Sequence, residues 1–185
     1  YDINNLKVEK PSLYNPEAFN AIDDTAESTE LNDISKPNIV MIMSEAFSDI
    51  SNSESINLDE YGDPLEFYNQ FINRDDVISG HIVVPNFGGG TSDTEFDVLT
   101  GCSTKYIDSS QVSYNFIRKP MEAMPRLLKN IGYDTLAIHP GYGWFYNRTN
   151  VYKNMGFDDF IYLEEDFEPS TQNKGGYISD EVTTQ

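Results

Sequence analysis

A chain of 185 residues with 12 Tyr and 11 Phe among 38% hydrophobic residues has the apolar supply for one domain with a core. It is too aromatic to be disordered over most of its length. Its 31 Asp and Glu against 12 Lys and Arg leave a formal charge of −19, which repels a phosphate backbone and argues against nucleic acid as a partner.

The chain starts at Tyr1 and shows no signal peptide and no apolar run long enough to span a membrane. Residues 1–35 are polar and acidic, with Pro11, Pro16 and the run "DDTAESTELND", and predict an acidic linker or peripheral arm. Order is expected from "KPNIVMIMSEAF" onward. Asn38 to Met43 is a continuous apolar run, the pattern of a strand buried on both faces. Leu65, Tyr68, Phe71 and Ile72 have helical spacing and predict a helix near Pro64 to Asn73. "VISGHIVVP" predicts a second strand ending at Pro85. After "NFGGG" a helix is expected over about Ser92 to Leu99, stopped by Gly101. "KPMEAMPRLLKNIGY" predicts a helix closed by Gly132, with Pro125 as an irregularity. Asp134 to Ile138 predicts a third strand. "WFYNRTNVYKNMGF" predicts a helix closed by Gly156, and "FDDFIYLEE" a short strand. "YISDEV" reads as a helix start with Ser179 as N-cap, interrupted by the last residue, Gln185. Both ends thus predict a piece of a longer protein. Strands alternating with helices predict an α/β fold, a layered and mainly parallel sheet with helices on both faces.

Three expected strands each lead to a residue with chemical potential: the first to Glu45, the second through the glycines to Thr91, the third to His139. Ligands of open α/β sheets lie beyond the carboxyl ends of the strands. Thr91 stands at a helix start, where backbone N–H groups lack intrahelical partners and the macrodipole favours an anion, either a bound phosphate or the alkoxide of Thr91 itself. Glycines let the backbone come close to such a ligand. Blander readings stand beside these. "SDTE", Ser92 to Glu95, is a capping-box pattern that needs no ligand. Glu45 can be a solvated carboxylate, His139 a structural histidine, Arg148 a surface helix residue, and Trp144, Phe145 and Tyr146 core aromatics. No Gly-Lys-Ser/Thr follows the glycines, so this is not a nucleotide-binding phosphate loop. His81 is assigned no function, and the "NRT" sequon at Asn147 carries little weight.

Together, "KPNIVMIMSEAFSD", "GGGTSDTEFDVLTG", "HPGYGWFYNRTNVYKNMGFDDF" and "YISDE" resemble the lipoteichoic acid synthase and phosphoglycerol transferase group of the sulfatase and alkaline phosphatase superfamily, over about Lys36 to Gln185. The resemblance implies that residues 36–185 are the N-terminal part of a catalytic domain with an alkaline-phosphatase-like fold. It implies an extracytoplasmic location, anchored to the cell membrane by helices absent from this chain. One divalent metal, Mn or Mg, is implied at the strand ends. Glu45 matches the acidic metal ligand, and Thr91 matches the threonine that is both metal ligand and nucleophile. His139 and Arg148 match residues holding the substrate phosphate and glycerol, and Tyr146 stands where the family often has Trp. The implied donor is a phospholipid headgroup, and the acceptor a glycerophosphate or a glycan. The family completes its metal site with an Asp-His pair, and neither His81 nor His139 follows an Asp. This departure predicts an incomplete site and an inactive chain in isolation. The alternatives are a phosphate or sulfate ester hydrolase of the same fold and a non-catalytic binding fragment. "CSTKY" lacks the formylglycine sulfatase pattern, so Cys102 is expected to be a small residue packed after a helix.

Overall fold

The structure is a computed structural model that describes residues 36–44, 47–49, 62–107, 111–168 and 177–185. The chain divides into two units, Tyr1–Ile42 and Met43–Gln185. Residues 36–42, the described part of the first unit, form neither helix nor strand. The arm expected over residues 1–35 lies outside the described residues.

The elements of the second unit follow the chain as α1 (Glu66–Ile72), α2 (Thr91–Thr100), 3-10 turns at Thr104–Tyr106 and Ser113–Phe116, and α3 (Met124–Asn130). Then come β1 (Leu136–His139), a 3-10 turn at Phe145–Asn147, α4 (Arg148–Met155), β2 (Asp159–Tyr162), α5 (Leu163–Asp166) and α6 (Asp180–Thr183). β1 and β2 pair in parallel with Leu136 opposite Asp159 and His139 opposite Tyr162. A parallel pair needs a crossover, and α4 supplies it. The register is set just before the strands begin. Asp158 accepts from the backbone N–H of Thr135 at 3.0 Å and from its hydroxyl at 2.9 Å, and it also pairs with Lys129. The α/β class is therefore as expected.

The core lies between α2, the Ser113–Phe116 turn, α3 and α4. Tyr114, Val151 and Met155 are fully buried there, joined by Ile117, Ala123, Ala137 and Tyr152. Full burial of an aliphatic side chain such as Val151 or Met155 contributes about 1.5–3 kcal/mol. β1 shows the alternation of a strand packed on one face: Ala137 is buried, while Leu136 and Ile138 are 50% and 48% exposed. Several local expectations hold. Gly101 ends α2 in the left-handed conformation at φ 68°, and Gly156 ends α4 at φ 98°. Ser179 caps α6, its hydroxyl accepting from the Val182 N–H at 3.4 Å.

Five expectations are corrected. The apolar runs Asn38 to Met43 and Val77 to Pro85 are not strands. Val40, Ile82 and Val83 are 81%, 85% and 97% exposed. Strand preference is mostly side-chain packing against neighbouring strands, and no described segment pairs with either run. The helix expected from Lys119 starts only at Met124, because Pro125 lacks an N–H and fits the first turn, where none is needed. The helix expected at "WFYNR" is broken. Tyr146 and Asn147 have φ of 57° and 58°, so α4 begins only at Arg148. Cys102 is exposed rather than packed. Among the described residues no helix is long and apolar enough to cross a membrane.

Candidate active site

The glycine-rich stretch turns the chain into α2. Gly88 and Gly89 have φ of 57° and 73°. No atom stands within 4 Å of where their Cβ would be, so backbone conformation rather than space selects glycine there. The loop is tied down on its entry side. The Asn86 amide donates to the Thr104 hydroxyl at 3.1 Å, and that hydroxyl donates to Asp97 at 3.0 Å.

α2 then starts at Thr91 with Gly90 as N-cap, and no side chain caps it. The Gly90 carbonyl accepts from the N–H groups of Asp93 and Thr94 at 3.0 and 3.1 Å. The "SDTE" pattern is thus not a capping box: Ser92 lies inside the helix and is 1% exposed. Each acid of α2 has a partner elsewhere. Asp93 accepts from the Ser113 N–H at 2.7 Å, and Asp97 from the Thr104 N–H at 2.7 Å.

Glu95 has the most partners. It accepts from the hydroxyls of Tyr114 and Tyr152 at 2.8 and 2.9 Å. It also meets Arg148, Nη2 at 2.5 Å and Nε at 3.3 Å. Arg148 is 1% exposed, so the surface-residue reading fails. Its guanidinium faces a carboxylate of the protein, and its Nη1 donates weakly to the Phe145 carbonyl at 3.4 Å. Burial by itself would lower the Arg148 pKa; the hydrogen bond and charge of Glu95 more than offset this and raise it. Burial, then the charge of Glu95, pushes the phenols of Tyr114 and Tyr152 up, so both stay protonated donors.

Thr91 and Glu95 are four residues apart on α2 and share one face. The Arg148 pair is therefore docked one turn along from Thr91. The Tyr146 ring centroid lies 5.3 Å from the Arg148 guanidinium carbon, and its hydroxyl donates to the Gly89 carbonyl at 2.8 Å. The WFYNR block and the glycine loop are thereby joined.

His139 is the last residue of β1 and is partly buried. Burial, and next the Arg148 charge, hold its pKa below the ordinary histidine value, so the ring is neutral at physiological pH. The turn after it is tight. A Cβ on Gly141 would lie 2.8 Å from His139 Nε2, and one on Gly143 would lie 2.5 Å from the Tyr162 ring. α5 holds this turn, with Glu164 accepting from the Gly143 N–H at 2.9 Å.

Tyr146 thus contacts Gly89, two residues before Thr91, Arg148 contacts Glu95, one helical turn after it, and His139 lies within the field of Arg148. Glu45, and with it the expected approach of Glu45 to Thr91, lies outside the described residues. Among the described residues no three His, Cys, Asp or Glu side chains converge as a metal-ligand set. The described residues by themselves do not fit a complete metal centre. Sequence reasoning missed Glu95, Tyr114 and Tyr152. The Thr91–Glu95 spacing was the one available signal, and the capping-box pattern concealed it.

A sulfatase family model matches residues 37–185. The chain belongs to the sulfatase family. A Rhizobium meliloti (strain 1021) protein named for cyclic beta-1,2-glucan modification is 34% identical over 151 residues, covering 81% of this chain and 22% of that protein. A crystal structure of the lipoteichoic acid synthase LtaP from Listeria monocytogenes is 26% identical, with a TM-score of 0.46 over 54% of this chain and 24% of its own. This sulfatase-family chain thus spans about a fifth to a quarter of the length of these two relatives. The resemblance read from the motifs holds.

Proposed function

We propose that this chain contributes the nucleophile-bearing part of an enzyme of phosphoryl- or sulfuryl-transfer type, and more specifically of a phosphoglycerol transferase. The observation that carries the reading is Thr91 itself, the first residue of a helix with no side-chain cap, separated only by Gly90 from two left-handed glycines, in a sulfatase-family chain. The unmatched N–H groups and the dipole of α2 favour negative charge at the Thr91 oxygen. The Thr91 oxygen attacks the phosphorus of a phospholipid headgroup. An O–P bond forms and the bond to the diacylglycerol oxygen breaks. The hydroxyl proton ends on the departing alcohol, and a phosphoglyceryl group remains on Thr91. An acceptor hydroxyl then attacks the same phosphorus, and the Thr91 oxygen leaves and recovers a proton. Arg148, paired with Glu95 one helical turn from Thr91, offers its remaining N–H groups to the phosphoryl oxygens, and neutral His139 offers a hydrogen bond to the phosphate or glycerol.

The name of the Rhizobium relative favours a glycan over a glycerophosphate as acceptor. A divalent metal, Mn or Mg, belongs to this reading as a Lewis acid lowering the cost of the alkoxide. From this chain Glu45 and Thr91 would hold it, together with donors that the described residues do not supply. An extracytoplasmic, membrane-anchored location belongs to the same reading.

The test uses the full-length protein with phosphatidylglycerol, a soluble beta-glucan and added manganese. Phosphoglycerol should appear on the glucan, and a phosphoglyceryl adduct on the peptide containing Thr91. An adduct on Ser92 would overturn Thr91 as nucleophile, and release of glycerol phosphate to water with none on the glucan would sink the transferase assignment.

A further inference from the structure

We propose that Glu95 is a positioning residue of this site, gripping the Arg148 guanidinium by one edge and setting where it stands relative to Thr91. The proposal rests on the phosphoryl-transfer reading above. An ionised carboxylate offers about four acceptor directions. Here four donors meet it: the Tyr114 and Tyr152 hydroxyls at 2.8 and 2.9 Å, and Arg148 Nη2 and Nε at 2.5 and 3.3 Å. Three of these donors converge on Oε2 and one meets Oε1, so the carboxylate is held by three residues at once. The two phenols come from the Ser113–Phe116 turn and from α4, and both rings belong to the core. Glu95 is therefore anchored to the packed interior and not to a surface loop.

Arg148 carries five N–H groups in a fixed plane. Glu95 takes the edge formed by Nε and Nη2. The opposite edge, formed by Nη1 and the second Nη2 hydrogen, keeps its direction because the plane is held. The side chains of the pair are 2% and 12% exposed, so water does little to average this geometry. Thr91 is one helical turn from Glu95, so the held plane bears a defined relation to the reacting oxygen. Stability by itself is a weak reason for such a pair, since well-packed apolar residues of similar volume do as well or better. A buried charge pair aligned with a candidate nucleophile is better explained as an orienting device.

Two substitutions separate orientation from stability. Glu95→Asp keeps the charge and withdraws the carboxylate by one methylene, so the ion pair survives while the guanidinium moves. Glu95→Gln keeps the length and removes the charge. In the full-length protein, with phosphatidylglycerol as donor, Glu95→Asp should keep a melting temperature near that of wild type. Its kcat should nonetheless fall by about tenfold or more, because displacements near an ångström have effects of that size. A purely structural Glu95 predicts the reverse order: near-normal kcat in Glu95→Asp, and loss only in Glu95→Gln, in step with its melting temperature. That order would overturn the proposal. Should Glu95→Gln fail to fold, Tyr152→Phe serves instead. It keeps the ring and removes one anchor, and kcat should fall while the melting temperature changes little; an unchanged kcat overturns the proposal.

Wild-type protein without turnover would sink the transferase reading and leave the positioning claim to a second measurement. The Arg148 Nε–H resonance should exchange slowly with solvent in wild type and shift in Glu95→Asp. An identical resonance in both proteins refutes the positioning of Arg148 by Glu95.

Discussion

Tyr146 and Gly89, 57 residues apart in sequence, are joined by a hydrogen bond of 2.8 Å from the phenol to the backbone carbonyl. The same ring packs over the Arg148 guanidinium. One side chain thus couples the loop leading into Thr91 to the block that carries Arg148, from a backbone position with φ 57° that a bulky residue occupies only at a cost. Tyr146→Phe keeps the ring and removes the tie. It should cost about 0.5–1.5 kcal/mol in chemical denaturation. Hydrogen exchange should become faster at Gly89 and Gly90 than at the core residue Val151. Equal protection in the glycine loop of both proteins would count against the coupling.

Thr91 and Ser92 are adjacent hydroxyls that differ in burial, Thr91 being half-buried and Ser92 buried. Ser92 is 1% exposed, and its Oγ has no hydrogen-bond partner among the described residues. Thr91→Ala should abolish turnover and the covalent intermediate in the full-length protein with little change in melting temperature. Ser92→Ala should retain activity and match or exceed wild-type stability, because it removes a buried unsatisfied hydroxyl and adds helix propensity. Activity retained in Thr91→Ala and lost in Ser92→Ala would reverse the assignment.

Arg148→Lys tests the planar fork. An ammonium cannot meet both oxygens of Glu95 as Nε and Nη2 do. The variant should be destabilised and should lose activity, while Arg148→Ala should cost about 3–5 kcal/mol by leaving Glu95 buried without its counter-charge. Denaturant midpoints and steady-state kinetics on the two variants give the answer. A change within about 0.5 kcal/mol is what a surface arginine would give.

His139 supplies a pH dependence. Burial, then the Arg148 charge, depress its folded-state pKa below the ordinary 6.5. Between those two values the unfolded chain binds a proton that the folded chain does not. The stability contributed by the neutral ring is therefore complete above about pH 6.5 and is lost as the pH falls through the folded value. His139→Gln should lose less stability than wild type between about pH 7 and pH 5. Parallel slopes for the two proteins across that window would show that His139 is not depressed.

Punctuation and local pattern determined much of this protein in advance. Gly101, Gly156 and Ser179 bound helices where their chemistry says they should, since a left-handed backbone or a capping hydroxyl acts within a few residues. The motif blocks around Thr91 and Arg148 were enough for the family, because each block is continuous in sequence. Tertiary structure alone decided the rest. The runs Asn38 to Met43 and Val77 to Pro85 carry strand-like composition, yet a strand exists only when a neighbour completes its ladder, and composition does not name the neighbour. Glu95 was hidden for the same reason. Within "SDTE" it reads as the end of a capping box, and its actual partners, Tyr114, Arg148 and Tyr152, lie 19 to 57 residues away. Local sequence encodes what a residue can bond. Only the folded chain, by removing water from Glu95 and Arg148 together, selects which of those bonds is made.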